Sequence, residues 1–156
     1  MRRRVAALAL VAAVAAPTSV DAGATAGVIE GTRGPDNLVG TAGADRIFGR
    51  GGDDRIRGRA GNDRLNGGRG NDLISGDAGD DVINGGPGDD TLLGGAGADR
   101  ITGGPGSDII AAGFGNDVVR ARDGQVDHIT CGPGRDRVIA DPNDDVARDC
   151  EVVRRG

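Results

Sequence analysis

The sequence is almost without aromatic residues. Phe48 and Phe114 are the only two in 156, and Trp and Tyr are absent. Aromatic side chains carry much of the buried area of an ordinary core, so a conventional globular interior is excluded. Lys is absent too, and all 19 basic residues are Arg. There is one His, and no Ser-His-Asp set, zinc-helix motif or Ser-x-x-Lys motif, so the usual constellations of hydrolytic and zinc chemistry are missing. Beyond the first 16 residues there is no apolar run that could cross a bilayer. What is abundant is Gly, 31 residues, and Asp, 22, beside only Glu30 and Glu151. Gly does not recur at every third residue, which excludes a collagen helix. Such a composition alone is compatible with disorder; the order of the residues argues against it.

Met1-Arg2-Arg3-Arg4 is a basic start, followed by an apolar run from Val5 to Ala16, then Pro17 and small residues. This is the three-part plan of a secretory signal peptide, and twelve apolar residues are too few for a membrane span. Small-x-small cleavage sites end at Ala22, Ala24 and Ala26. We read 1–24 as signal peptide, cleaved between 22 and 26, and 25–30 as a linker. No Cys follows the apolar run, which argues against a lipid anchor. Removal of the leader leaves 16 Arg against 23 acids, a net charge of −7 in place of −5. That sign disfavours nucleic acid and favours cations. The expected location is extracellular.

From Gly31 to Arg120 the chain is ten gapless nonapeptides, such as Gly67-Gly68-Arg69-Gly70-Asn71-Asp72-Leu73-Ile74-Ser75. Position four is Gly in all ten. Position six is Asp in all ten: Asp36, Asp45, Asp54, Asp63, Asp72, Asp81, Asp90, Asp99, Asp108 and Asp117. Position eight is aliphatic in all ten, from Leu38 to Val119. Gly permits the positive φ of a tight turn. Positions seven to nine form a short strand whose side chains alternate, so only position eight points inward. One inward aliphatic residue per nine makes a thin core between two parallel ribbons. The chain must therefore wind with two repeats per turn, stacking equivalent residues 18 apart at about 4.8 Å. The predicted fold class is all-β, a parallel β-roll over residues 31–120.

Stacking gathers the Asp residues into two ladders. Unit charges at that spacing repel by roughly 1 kcal/mol per pair even in water. A hard divalent cation between turns reverses the sign, and carboxylate and carbonyl oxygens suit Ca²⁺ better than Mg²⁺ or Zn²⁺. The core is too thin to order the chain alone, so cation binding is expected to be part of folding, with a largely disordered metal-free chain.

The unit G-G-x-G-x-D-x-U-x, with U a large aliphatic, resembles the hemolysin-type calcium-binding repeat of the RTX (repeats-in-toxin) proteins. The resemblance covers residues 31–120, with degenerate copies towards 150. It implies a right-handed parallel β-roll with Ca²⁺ held in the turns by sixth-position Asp and backbone carbonyls. Carried over, the ligands are the ten Asp residues named above, and pairing each with its partner 18 residues on gives up to eight inter-turn sites. Two departures stand out. Gly is missing from position two at Thr32, Thr41, Arg50, Arg59 and Asp77, so weaker binding is expected early in the chain. The sequence also has an N-terminal leader and no room for the toxin, protease or lipase that many relatives carry.

After Arg120 the period slips. Ala121 to Thr130 is a copy with one insertion, leaving Asp127 and Ile129 as its Asp and core positions. Cys131 to Ile139 restores the unit with Cys for the first Gly. Residues 121–156 are read as degenerate repeats and an end cap, closed by a disulfide between Cys131 and Cys150.

Other features carry less. Asp141-Pro142-Asn143-Asp144-Asp145 imitates an EF-hand start, but Val146 and Val152 stand where Gly and Glu are needed. His128 falls at an outward strand position. Asp or Asn at position five (Asp53, Asn62, Asn71, Asp80, Asp89, Asn116) either adds oxygen ligands or only tolerates the turn's backbone angles. Position seven is Arg at 46, 55 and 64, then Leu73 and Val82, and later Ile109 and Val118, which predicts a mildly apolar face in the second half. The reading is a secreted, non-enzymatic protein that binds several Ca²⁺ ions as it folds. The alternative is a structural or adhesive module using the loaded roll to contact a cell surface, matrix or glycan.

Overall fold

The computed structural model describes residues 27–155. Within them every regular element is a strand. One sheet holds β1 (Val28–Glu30), β3 (Arg46–Gly51), β5 (Arg64–Arg69), β7 (Val82–Asn84), β9 (Arg100–Thr102), β11 (Val118–Ala121), β13 (Arg137–Ala140) and β15 (Val152–Arg155). The other holds β2 (Asn37–Val39), β4 (Arg55–Ala60), β6 (Leu73–Ala78), β8 (Thr91–Ala96), β10 (Ile109–Phe114), β12 (His128–Thr130) and β14 (Asp145–Val146). All pairings are parallel, and consecutive strands alternate between the sheets, so the chain coils with two repeats per turn. Leu38 aligns with Ile56, and Ile56 with Ile74, a register of 18 residues. The insertion after Arg120 stretches one step to 19, pairing Ile110 with Ile129 and Val119 with Val138. The expected β-roll is therefore present.

The position-eight residues from Leu38 to Val138 lie between the sheets, none more than 2% exposed. Each is flanked by outward residues, so the pleat of three residues fixes the core. Turns are admitted by left-handed backbone at positions two and four, as at Gly68 (φ 112°) and Gly70 (φ 123°). At position two, Arg50, Arg59 and Asp77 adopt the same region with φ of 79°, 83° and 73°.

Two boundaries move. The segment read as a linker, 25–30, contributes β1, because Val28-Ile29-Glu30 carries a strand triplet whose Ile29 pairs with Ile47 and packs on the core. At the other end the roll does not stop at 120. Cys131 and Cys150 are bonded, with Cα atoms 5.2 Å apart, and β14 and β15 continue both sheets. Ala112, Ala121, Cys131 and Ala140 occupy position one with their side chains buried, which thickens the core towards this end. The proposed leader lies outside the described residues. Among those described, no helix is long and apolar enough to cross a membrane. The later apolar residues divide between the sheets: Leu73, Leu93 and Ile109 face out from one, Val82 and Val118 from the other.

Candidate metal centre

Each turn delivers its sixth residue to the junction between a turn and the following strand, where the side chain is buried in every unit after the first and half-buried at Asp36. Asp45, Asp54, Asp63, Asp72, Asp81, Asp90, Asp99, Asp108 and Asp117 are at most 2% exposed, and Asp127 and Asp136 continue the series at 0% and 1%. They form two ladders. One runs Asp36, Asp54, Asp72, Asp90, Asp108, Asp127; the other runs Asp45, Asp63, Asp81, Asp99, Asp117, Asp136.

The rungs share one geometry. The backbone N–H of each Asp donates to Oδ1 of the Asp one turn later: Asp36 to Asp54 at 2.8 Å, Asp63 to Asp81 at 2.7 Å, Asp90 to Asp108 at 2.9 Å. The second oxygen is left over. Oδ2 of Asp54, Asp63, Asp72, Asp81, Asp90, Asp99, Asp108, Asp117, Asp127 and Asp136 is buried with no hydrogen-bond partner. A buried polar atom without a partner is costly, and ten at equivalent places is a property of the repeat. For the seven rungs from Asp54 to Asp108 the space beside Oδ2 exists because position one lacks a side chain: a Cβ on Gly67 would lie 2.0 Å from Oδ2 of Asp72, and one on Gly85 2.2 Å from that of Asp90, whereas Ala112, Ala121 and Cys131 stand at position one before Asp117, Asp127 and Asp136.

Asp36 and Asp45 differ. Their Oδ2 atoms accept from the N–H (2.5 Å) and hydroxyl (3.0 Å) of Thr32 and Thr41 respectively. The residues that replace Gly at position two in the first two repeats thus satisfy the oxygen that is orphaned everywhere else.

Burial is the main cause of raised carboxyl pKa values along the ladders, opposed by the N–H bond from the preceding turn and reinforced by neighbouring carboxylates. Asp54, Asp63, Asp99 and Asp108 rise from 3.8 to about 6, and Asp81, Asp90 and Asp127 to about 7. Asp72, Asp117 and Asp136 are raised by the same causes.

Position five has another task. Oδ1 of Asp53 accepts from the N–H of Asn71 at 2.8 Å, and that of Asn71 from Asp89 at 3.0 Å, so these side chains knit adjacent turns on the outside. His128 is exposed beside Asp145, away from the ladders. Among the described residues no three His, Cys, Asp or Glu side chains converge on one point. Any ion between rungs therefore meets two carboxylates in series, with the rest of its oxygens from the turn backbone or water. The chemistry fits: hard, anionic oxygens without donors, beside glycine backbone, suit a flexible oxygen-seeking cation such as Ca²⁺.

Sequence reasoning identified the rungs from period nine and missed their ends. Asp127 and Asp136 belong to the ladders, accepting at Oδ1 from the N–H groups of Asp108 and Asp117, and the series continues to Asp144 and Glu151: the N–H of Asp127 donates to Asp144 (3.1 Å), and that of Asp136 to Glu151 (2.7 Å). Both had a sequence signal, Asp127 as the Asp of a copy with one insertion and Asp136 at the sixth position of the restored unit, but neither was counted among the ligands.

This arrangement defines a parallel β-solenoid with inward-facing carboxylate ladders at its turns. The model of the RTX calcium-binding nonapeptide repeat (four copies) matches residues 30–65, 57–92 and 84–119, together more than half of the sequence. The chain belongs to that family, whose repeats bind calcium. Set against curated proteins, the chain has no significant match.

Proposed function

We propose that the chain is a secreted, non-enzymatic protein that takes up several Ca²⁺ ions along its two ladders and folds as it does so. The observation that carries this reading is the set of ten buried Oδ2 atoms without a donor. Bound calcium supplies the positive charge those oxygens otherwise lack. The chain's own part is to hold each Oδ1 through an N–H of the neighbouring turn, which leaves Oδ2 without a donor and, from Asp54 to Asp108, aims it into the space left by the position-one Gly. In the unfolded chain no such convergence exists, so binding free energy becomes folding free energy.

The ligand set proposed is Asp54, Asp72, Asp90, Asp108 and Asp127 on one side and Asp63, Asp81, Asp99, Asp117 and Asp136 on the other. Pairing neighbours along each ladder gives eight inter-turn sites. Asp36 and Asp45 are assigned a structural role, because Thr32 and Thr41 already satisfy them.

Far-ultraviolet circular dichroism of the oxidised chain, stripped of metal and titrated with Ca²⁺, tests the reading, with Mg²⁺ as control. A cooperative gain of β signal with Ca²⁺ alone is expected; a chain already β-structured without metal would refute coupling. Calcium stoichiometry separates the ligands: Asp81→Asn lowers it, and Asp45→Asn leaves it unchanged. N-terminal sequencing of the exported protein locates cleavage after residue 22, 24 or 26.

A further inference from the structure

The net charge of −5 conceals a segregation of charge. On the outer face of the eight-stranded sheet, position seven reads Val28, Arg46, Arg64, Val82, Arg100, Val118 and Arg137 along one continuous row, each in register with the next. Arg120 stands at position nine of the same face. These five Arg are exposed, and none takes part in the ion pairs among the described residues. The only acid at an outward position of this sheet's strand triplets is Glu30, which already pairs with Arg50. The turns leading into these strands are nearly neutral at the adjoining exposed position: Ala44, Asn62, Asp80, Ala98, Asn116 and Arg135. Arg46 and Arg64 also line a cleft with Val28, Ala44, Asn62 and the buried ladder residue Asp45.

We infer that this face binds a linear acidic polysaccharide, laid along the stacking direction with its carboxylate or sulfate groups on the Arg row. From Arg46 to Arg137 the row spans five strand steps, about 24 Å at the usual strand separation. Arg64, Arg100 and Arg137 recur at every second step, about 10 Å apart, with Val82 and Val118 between them. That alternation of charge and small apolar surface suits a chain of sugar rings, whose ring faces are apolar and whose charges recur at intervals. Arg binds carboxylate and sulfate oxygens in bidentate fashion. A single nucleic acid strand would need stacking platforms, and the only aromatic outward residue of this sheet is Phe48. The inference rests on the calcium-loaded roll proposed above, because the row exists only when the strands are stacked and because calcium neutralises the Asp ladders that border the face.

The test is fluorescence anisotropy of a labelled short oligogalacturonide and of a labelled sulfated dextran oligomer, added to the oxidised full chain in calcium. Neutral dextran and an oligodeoxythymidine serve as controls. The triple variant Arg64→Ser, Arg100→Ser, Arg137→Ser is compared with Arg33→Ser, Arg55→Ser, Arg148→Ser, which removes equal charge away from this row, Arg55 lying on the opposite sheet. Loss of three exposed ion contacts predicts about a tenfold weaker affinity for the first variant, with the second unchanged. A preference between the two acidic oligomers tells carboxylate from sulfate recognition. Equal loss in both variants, tighter binding of the oligodeoxythymidine, or no binding by a folded, loaded chain would overturn the inference. Circular dichroism on the same samples keeps the two proposals apart. A chain that is β-structured and binds the oligomer without calcium sinks ion-driven folding and leaves the Arg face standing.

Discussion

Protons and calcium should compete for the same oxygens, and the competition has a sign opposite to ordinary acid denaturation. In the metal-free roll, seven ladder carboxylates rise to about 6 or 7 through burial, against 3.8 for the exposed group. A group whose folded pKa exceeds its unfolded one contributes stability that is complete below the unfolded value and lost as pH rises through the folded one. The metal-free roll is therefore favoured near pH 4 and loses that support progressively as pH rises from about 4 to about 7. Around pH 5 the folded form holds protons on all seven that the unfolded chain has released, so metal-free folding takes up several protons. Each contributes about 1.4 kcal/mol per pH unit at full occupancy. The perturbation is a pH series from 8 down to 4 on protein stripped of calcium in metal-free buffer, followed by far-ultraviolet circular dichroism. β-Structure should grow on acidification, with proton uptake measurable by an indicator dye. In the presence of calcium the order reverses: apparent affinity falls as pH drops below about 7, because each ion must displace protons. A metal-free chain whose β content is the same at pH 8 and pH 5, or a calcium affinity flat across that range, would refute the reasoning.

Four variants probe the frame. Arg59→Gly relieves a left-handed φ of 83° and should lower the calcium concentration needed for folding, a gain of about 1 kcal/mol. Gly70→Ala has φ 123° and would place a Cβ 2.3 Å from the Gly52 carbonyl oxygen, so it should destabilise the loaded roll by about 3 kcal/mol, whereas Gly51→Ala, with its nearest atom at 3.6 Å, should be close to neutral in the same melt. Cys131→Ser with Cys150→Ser opens a link of separation 19 and should cost about 3 kcal/mol in calorimetry with calcium present.

The repeat made the roll legible because period nine constrains everything at once: which residue faces in, which turns, and which stacks. Ile47, Ile56 and Ile74 could be placed by counting alone, and Asp63 and Asp81 with them. Counting failed where the physics is the same but the spelling differs. Val28-Ile29-Glu30 is a strand triplet with no Gly-rich turn ahead of it, so it read as a linker although Ile29 pairs with Ile47. Thr32 and Thr41 read as defects in position two. Their donors are what Asp36 and Asp45 need, and hydrogen bonds of that kind leave no periodic trace. The outer faces were obscured for a further reason. Consecutive repeats belong to opposite sheets, so Arg46, Arg55 and Arg64 look like one basic stretch, while in space Arg55 is on the far side.

The ends of the ladders follow from their polarity. Every N–H of a rung is held by the carboxylate one turn later, so the scheme consumes an acceptor from the C-terminal side at each step. The last full rungs must then find acceptors outside the repeat, and they do, in Asp144 for Asp127 and in Glu151 for Asp136. The first rungs face the converse demand. Asp36 and Asp45 lie on the outermost turn of each ladder, where a cation bridging to an earlier rung would have no second carboxylate. There the chain replaces the ion with Thr hydroxyl and amide donors. The irregular residues at both ends are thus what lets a polar ladder stop, and between them every Oδ2 is buried without a donor. A roll built this way has one part whose polar groups are satisfied by the protein and a longer part that, on the function proposed, needs calcium. Folding should accordingly spread from the Thr-satisfied turns, and Thr41→Val, which removes a donor without touching any proposed calcium ligand, should raise the calcium midpoint while leaving the number of bound ions unchanged.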